Sequence, residues 1–130
     1  MAARTHRKGF KPLPENGWSE EWGTWEDYKE RCVREGARVV GRGYNERIVW
    51  RNDTGLYHRI DGPADETRNY KEWVVNGLNH RIAGPAIVNT NGYKSWYVNG
   101  RHHRSDGPAI EHVDGTVEFY KDGIRYRTLR

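Results

Sequence analysis

The sequence is poor in cysteine, methionine and phenylalanine: it holds one Cys, one Met and two Phe among 130 residues. The single cysteine, Cys32, excludes an intrachain disulfide and a cysteine-rich zinc site. No apolar run approaches the roughly 18 residues of a membrane-spanning helix, and the first residues lack the apolar stretch of a secretory signal. We therefore expect a cytoplasmic protein with no membrane span.

The positive charge is concentrated at the start of the chain. The formal net charge is +4, and residues 1–12 hold Arg4, Arg7, Lys8 and Lys11 with no acidic side chain. The rest of the chain is neutral, with 18 basic and 18 acidic residues. Residues 1–17 are predicted to be a basic arm and linker. Such an arm either contacts phosphates or an acidic protein surface, or is a solvated, disordered terminus.

An internal repeat dominates the remainder, which is rich in Trp, Tyr and Gly. Three segments read HRIDGPA (58–64), HRIAGPA (80–86) and HRSDGPA (103–109). Aromatic residues recur at intervals of 23 residues, at Trp50, Trp73, Trp96 and Phe119. A period this regular is typical of stacked repeat units, the last of which looks like a terminal, capping copy. We call the units that begin at these four aromatic residues the first, second, third and last copies.

Each copy is predicted to be a β-hairpin. Asn76-Gly77, Asn99-Gly100 and Asp122-Gly123 suit two-residue type I′ turns, in which both central residues need positive φ. Counting outward from each turn places the aromatic residue opposite the histidine, and Phe119 opposite Tyr126. A three-residue loop at 53–55 gives the first copy the same register. The residues with this expected structural role are Trp50, His58, Trp73, His80, Trp96, His103 and Phe119.

The connections between hairpins complete the predicted fold. A Gly-Pro pair after each His-Arg breaks the strand, and the chain returns through 86–89 and 109–113. Turns at Asn91-Gly92 and Asp114-Gly115 then lead into the next copy. The predicted fold class is mainly β: an antiparallel meander over 48–130 that each copy extends by one hairpin, with copies about 9–10 Å apart.

The 23-residue period, the aromatic-x-x-Asn-Gly-x-x-His pattern and the later glycine resemble MORN repeats (membrane occupation and recognition nexus) over about residues 48–130. The resemblance implies hairpins stacked into an elongated, curved sheet that acts as a scaffold or binds proteins. It implies lipid headgroups as a further ligand and no catalytic residues. Arg-x-Asp-Gly-Pro-Ala stands where MORN repeats have Gly-x-Gly. We associate such variants with phage and large-virus proteins, which would place the chain in a virion or the host cytoplasm.

Residues 18–47 are predicted to be a helical segment that caps the first strands. Thr24 and Asp27 fit a capping box at the start of a helix over about 25–35. An open sheet needs its end covered, so one helix face is expected to pack on the first strands. That face holds Trp25, Tyr28 and Cys32. The alternative is an exposed partner-binding patch of Trp18, Trp22 and Trp25.

No catalytic, cofactor or metal site is expected, and the chain is not expected to be an enzyme. The three repeat histidines form a column, but equivalent atoms two strands apart are too distant to share one zinc ion. Each imidazole is instead expected to stack on its cross-strand Trp and to bond a loop backbone. Cys32 is expected to pack inside the helix face, and no phosphate-binding glycine loop is present.

The recurring aromatic residues Trp50, Trp73, Trp96 and Phe119 are expected to stack on one face, which we call the Trp column. The opposite face is the candidate binding surface, because Arg and Tyr are enriched at interface hot spots. Its candidate partner-binding residues are Arg59, Arg81, Tyr97, His102, Arg104, Tyr120 and Arg127, with Arg4, Arg7, Lys8 and Lys11 of the arm. Glu72 and Glu118 share this face, so a solvated, salt-bridged surface is the alternative.

Three functions follow from these features. The preferred one is a non-catalytic protein-binding or scaffold protein, such as a phage- or virus-encoded factor that binds a host or virion protein. The first alternative is a nucleic-acid-binding accessory protein that uses the basic arm and the Arg–Tyr face. The second alternative is a binder of a small ligand or nucleotide in a groove between hairpins.

Overall fold

A computed structural model describes residues 12–130 of the chain. The predictions for Arg4, Arg7, Lys8 and Lys11 fall outside these residues. The described part is mainly antiparallel β with one short N-terminal α-helix, which confirms the predicted fold class. Its elements are a 3₁₀ turn (Glu20–Trp22), α1 (Trp25–Arg34), β1 (Arg38–Val40), a 3₁₀ turn (Gly43–Asn45), β2 (Arg47–Val49), β3 (Asp65–Glu66), β4 (Tyr70–Glu72), β5 (Val74–Val75), β6 (Leu78–Asn79), β7 (Ile87–Asn89), β8 (Lys94–Ser95), β9 (Tyr97–Val98), β10 (Arg101–His102), β11 (Ile110–Glu111), β12 (Val117–Lys121) and β13 (Ile124–Leu129).

Nine of these strands form one antiparallel meander in the order β1-β2-β3-β4-β7-β8-β11-β12-β13. The pairs β5–β6 and β9–β10 are separate two-stranded hairpins. The second and third copies therefore each contribute two strands to the long sheet and two to a hairpin. The prediction that each copy adds one simple hairpin is wrong in this respect.

The separation arises because each return strand is interrupted by a five-residue excursion. In the second copy the carbonyl of Trp73 accepts from the His80 N–H at 3.2 Å, while the Trp73 N–H donates to the Ala86 carbonyl at 2.7 Å. Residues on either side of 81–85 thus pair with the same tryptophan. The excursion carries the Arg-x-x-Gly-Pro part of the motif, and its proline cannot donate to a ladder.

The turn residues at the hairpin tips have the predicted backbone conformation. Positive φ is found at both residues of each predicted turn: Asn76 (48°) and Gly77 (81°), Asn99 (51°) and Gly100 (80°), and Asp122 (50°) and Gly123 (85°). The inner registers match the prediction, with His102 opposite Tyr97 and Asn79 opposite Val74. In the first copy, Gly55 has φ 89° and the His58 N–H donates to the Trp50 carbonyl, as the three-residue loop requires.

The last copy departs from the predicted register. Tyr120 pairs with Arg125, but a bulge follows and Phe119 pairs with Arg127, not with Tyr126. One extra residue on a strand shifts every later pair by one, and nothing in the turn dipeptide signals it. The Tyr126 ring still lies near Phe119, with ring centroids 6.0 Å apart.

The helix covers the first end of the sheet, as predicted. Thr24 Oγ1 accepts from the Asp27 N–H at 3.1 Å and starts α1. The buried face of α1 joins a core with the first strands and the first two copies; its members are Leu13, Trp25, Tyr28, Cys32, Ala37, Ile48, Trp50, Ala64 and Val74. Trp25 is buried, and Trp18 and Trp22 pack against this core, so the alternative of an exposed tryptophan patch is wrong for Trp25.

A buried carboxylate anchors the helix to the sheet. Glu66 accepts from the Tyr28 hydroxyl at 2.5 Å and from the Trp18 N–H at 2.6 Å. Burial raises the pKa of Glu66, although both hydrogen bonds and the charges of Lys71 and Arg59 oppose the rise. Glu66 was not predicted from the sequence. The sign of it in the sequence is that Glu66 occupies the position where the second copy has the apolar residue Val88.

Candidate interaction surfaces

The repeat histidines join each copy to the next. In every junction, the Nδ1 atom of a histidine accepts from the N–H of the first turn residue of the following copy, and two backbone bonds flank that contact. The histidine bonds are Asn76 N to His58 (2.9 Å), Asn99 N to His80 (3.0 Å) and Asp122 N to His103 (3.1 Å). The backbone bonds are Gly77 N to Tyr57 O, Gly100 N to Asn79 O, Gly123 N to His102 O, Arg59 N to Val74 O, Arg81 N to Tyr97 O and Arg104 N to Tyr120 O. The predicted bond from each histidine to a loop backbone is confirmed.

The repeat arginines lie on the Trp column, and their predicted place on the opposite face is wrong. Each guanidinium carbon lies over the aromatic ring of its own copy: Arg59 over Trp50 (4.4 Å to the centroid), Arg81 over Trp73 (3.8 Å), Arg104 over Trp96 (3.9 Å) and Arg127 over Phe119 (5.7 Å). Strand alternation fails at the first three because the paired strand ends at the histidine and the excursion begins at the arginine. In the last copy the bulge places Arg127 opposite Phe119. A cation over a desolvated indole is stabilising.

The rest of the motif holds the arginine in place. Arg59 Nη1 donates to the Pro63 carbonyl at 3.1 Å, and its Nε donates to Asp61 at 3.3 Å. A Cβ on Gly62 would lie 2.6 Å from the Arg59 guanidinium carbon, so only glycine leaves the space. Arg104 repeats these bonds with Pro108 and Asp106. The Arg-x-Asp-Gly-Pro sequence is therefore a packing unit.

Burial of these arginines falls along the chain. The Arg59 side chain is 2% exposed, and that of Arg104 is 23% exposed. Arg81 donates from Nη2 to Asn16 at 2.6 Å, which ties it to the N-terminal linker. Arg59 is thus not accessible to a partner, and the binding role of Arg81 and Arg104 stays a prediction.

The opposite face carries a ladder of stacked rings. Tyr97 and His102 have centroids 4.1 Å apart, and His102 and Tyr120 have centroids 4.8 Å apart. Burial lowers the pKa of His102. Glu118 ends the ladder: it contacts His112 Nε2 at 2.5 Å and accepts from Arg125 at 3.1 Å, and these hydrogen bonds lower the pKa of the Glu118 carboxyl. Three predicted partner-binding residues therefore lie together on this face.

The last strand, β13, forms an edge that no other described strand covers. It is six residues long, whereas β6 and β10 have two residues each, because no Gly-Pro excursion interrupts it. All residues from 121 to 130 are exposed. Its large apolar side chains are Ile124, Tyr126 and Leu129, and Ile124 is 71% exposed. We call β13 the open edge.

The first hairpin, at the other end of the array, is closed on itself. Asn52 Oδ1 accepts from the backbone N–H groups of Thr54 and Leu56 at 3.0 Å each. The first hairpin thus satisfies these two loop donors within itself, whereas the turn N–H groups of the later copies donate to the preceding copy. Within residues 12–130, α1 packs on the first strands and the edge strand β1 has three residues, whereas the edge strand β13 has six and no other strand beside it.

Two equivalent clefts lie between successive excursions, with volumes of about 560 and 480 Å³. Arg81, Ile82 and Ala83 line both, and Ile82 is 76% exposed. Glu15 of the linker also lines the first cleft. These clefts are where the predicted alternative, a small ligand between hairpins, would bind.

Residues 12–130 contain no group of three or more His, Cys, Asp and Glu side chains placed to hold a metal ion. Burial raises the pKa of the Cys32 thiol to about 12, which disfavours the reactive thiolate. Within the same part of the chain, no helix has the length and apolar character that crossing a membrane requires. Comparison with known protein families, curated proteins and solved structures finds no match for this chain.

Proposed function

We propose that this chain is a non-catalytic interaction protein that binds another protein through the open edge. The observation that carries the proposal is the asymmetry of the array. At its start, α1 packs on the first strands, the first hairpin is closed by Asn52, and the edge strand β1 has only three residues. At the other end, β13 presents a six-residue strand with exposed apolar side chains. Unpaired strand edges are natural sites for another polypeptide, and natural proteins usually cover or shorten them.

The repeated motif supports the same proposal, because its own residues are engaged inside the array and the open edge is not. Its histidines, arginines and glycines are occupied by contacts within the array, so they build the scaffold. The stacked ring of Tyr120 and the guanidinium of Arg125 border the open edge and would extend the contact area. An ordinary interface needs about 800 Å² from each partner.

The test is capture of partners from native lysate, with and without nuclease, using paired variants. Ile124→Ser with Leu129→Ser alters the open edge. Ile82→Ser with Leu78→Ser is the matched control, because these side chains are exposed to a similar degree elsewhere. We expect the wild type and the control to retain the same protein and the edge variant to lose it. Equal retention by both variants, or retention that nuclease abolishes, contradicts the proposal and favours another surface or the nucleic-acid alternative.

A further inference from the structure

We infer that the open edge accepts an acidic, extended segment of the partner protein as an added antiparallel strand. This inference rests on the proposed function and names the chemistry of its partner. β13 spans roughly 20 Å at about 3.4 Å per residue, which is the length of an ordinary strand. A strand of that length is long enough for a partner to pair with by main-chain hydrogen bonds.

The inner junctions identify backbone groups that point outward from β13. In each inner copy, the carbonyl before the histidine accepts from the turn glycine of the next copy; for the third copy this is His102. The residue 23 positions later is Arg125, in the non-bulged part of β13. An antiparallel strand directs the N–H and C=O of one residue to the same side. Both main-chain groups of Arg125 therefore face away from β12.

Another copy of the motif fits this edge poorly. Each inner junction needs a histidine Nδ1 to accept the turn N–H, and the corresponding residue of the last copy is Tyr126. The bulge between Phe119 and Tyr120 also shifts the register that a further hairpin would follow. The first hairpin of a second molecule already satisfies its loop donors with Asn52. A plain extended strand has neither requirement.

The charge on the edge selects the partner. Residues 124–130 hold Arg125, Arg127 and Arg130 and no carboxylate. Within residues 12–130, basic and acidic side chains balance. Although Glu118 accepts from Arg125, the basic side chains of the hairpin 117–130 outnumber the acidic ones, so this end is a local positive surface on a neutral body. Opposite charges on directly paired strands attract, and like charges repel. Arg125 pairs with Tyr120, whereas Ile124 and Leu129 pair with Lys121 and Val117 on the other face of the sheet. A segment that alternates carboxylates with β-branched residues therefore places carboxylates beside Arg125 and apolar side chains beside Ile124 and Leu129.

The experiment titrates the ¹⁵N-labelled chain with three synthetic peptides. The first alternates Glu and Val over seven residues with blocked ends, the second has Lys in place of Glu, and the third is the acidic peptide with N-methylated central amides. We expect the acidic peptide to shift the amide resonances of β13, the basic peptide to bind at least tenfold more weakly, and the N-methylated peptide not to bind. The N-methylated peptide keeps the charge but cannot pair as a strand.

Paired protein variants locate the site. Arg125→Glu with Arg127→Glu is expected to weaken the acidic peptide by about tenfold or more. Arg34→Glu with Lys94→Glu changes the net charge equally at exposed positions away from β13 and is expected to leave binding unchanged. Melting temperatures of both variants show whether the fold is kept.

Three results of the peptide titration overturn the inference: equal binding of acidic and N-methylated peptides, equal binding of acidic and basic peptides, or no binding at about 1 mM. Displacement of the acidic peptide by a single-stranded oligonucleotide of equal affinity also overturns it, because the edge would then bind phosphates. The lysate capture separates this inference from the proposed function. If the edge variant loses the partner but the acidic peptide does not bind, the proposed function stands and the acidic added strand is refuted.

Discussion

Replacing the motif glycines by alanine tests the packing of the repeat arginines. Gly62, Gly84 and Gly107 do not have φ in the left-handed region, so alanine introduces no backbone strain there. Its Cβ would lie 2.6 Å from the Arg59 guanidinium carbon at Gly62, 2.9 Å from that of Arg104 at Gly107, and 3.1 Å from Arg81 Nη1 at Gly84. The three sites thus form a graded series within one protein.

The loss of unfolding free energy in each variant depends on whether the arginine beside the new Cβ can move away. Arg59 is enclosed, and displacing it breaks a charge-assisted bond to Pro63, worth about 1.5–3 kcal/mol, or overpacks the site by about 1–3 kcal/mol. We expect Gly62→Ala to cost about 2–4 kcal/mol, Gly107→Ala about 1–2 kcal/mol, and Gly84→Ala less than about 1 kcal/mol. The entropic gain of alanine in the unfolded chain is similar at all three sites and does not change their order.

Urea unfolding of the three variants measures these differences, and each kcal/mol also lowers the melting temperature by several degrees. Repeating Gly62→Ala in an Arg59→Ala background isolates the contact, since the added cost is expected to shrink when the guanidinium is absent. Three equal effects, or a Gly62→Ala cost that is unchanged without Arg59, would refute the packing argument.

Three further predictions concern other parts of the array. His80→Phe removes the acceptor of the Asn99 N–H and is expected to cost about 1 kcal/mol, with faster hydrogen exchange at that amide; unchanged exchange would contradict the junction. Trp73→Ala is expected to cost about 3–5 kcal/mol and Trp96→Ala less, because Trp96 is only half-buried; the reverse order in urea unfolding would contradict the burial gradient. Because burial raises the pKa of Glu66, its carboxyl is protonated at a higher pH in the folded chain than in the unfolded chain. The unfolding free energy of the wild type relative to Glu66→Gln should therefore rise as pH falls from 7 toward 4.5, and a fall would refute the burial of a charged carboxylate.

Local chemistry made much of the fold predictable. The Asn-Gly and Asp-Gly pairs fix hairpin tips by their tolerance of positive φ, and the register of the inner copies follows from those tips. Thr24 and Asp27 mark the start of α1 in the same local way. The shared face of Tyr97, His102 and Tyr120 followed from strand alternation because these residues lie within paired strands, but their ring stacking was not predicted.

The errors occurred where pairing stops or where distant residues meet. Alternation placed Arg81 on the wrong face because the excursion begins at that residue. The bulge at Phe119 has no marker in the turn that precedes it. Glu66 is buried because Tyr28 and Trp18, which are 38 and 48 residues away in sequence, supply its hydrogen bonds. Such contacts depend on the tertiary packing of α1.

The most direct test of the account is whether the repeat arginines lie on their own tryptophans in solution. Side-chain NMR of the labelled chain should show nuclear Overhauser contacts from the Arg81 guanidinium and δ-methylene to the Trp73 indole, and from Arg104 to Trp96, because these groups lie 3.8 and 3.9 Å from the ring centroids. We also expect upfield ring-current shifts for these protons, because they lie over the indole rings. Arginine side chains with random-coil shifts and no contact to the indoles would contradict it, and would return these arginines to the solvent face as partner-binding residues.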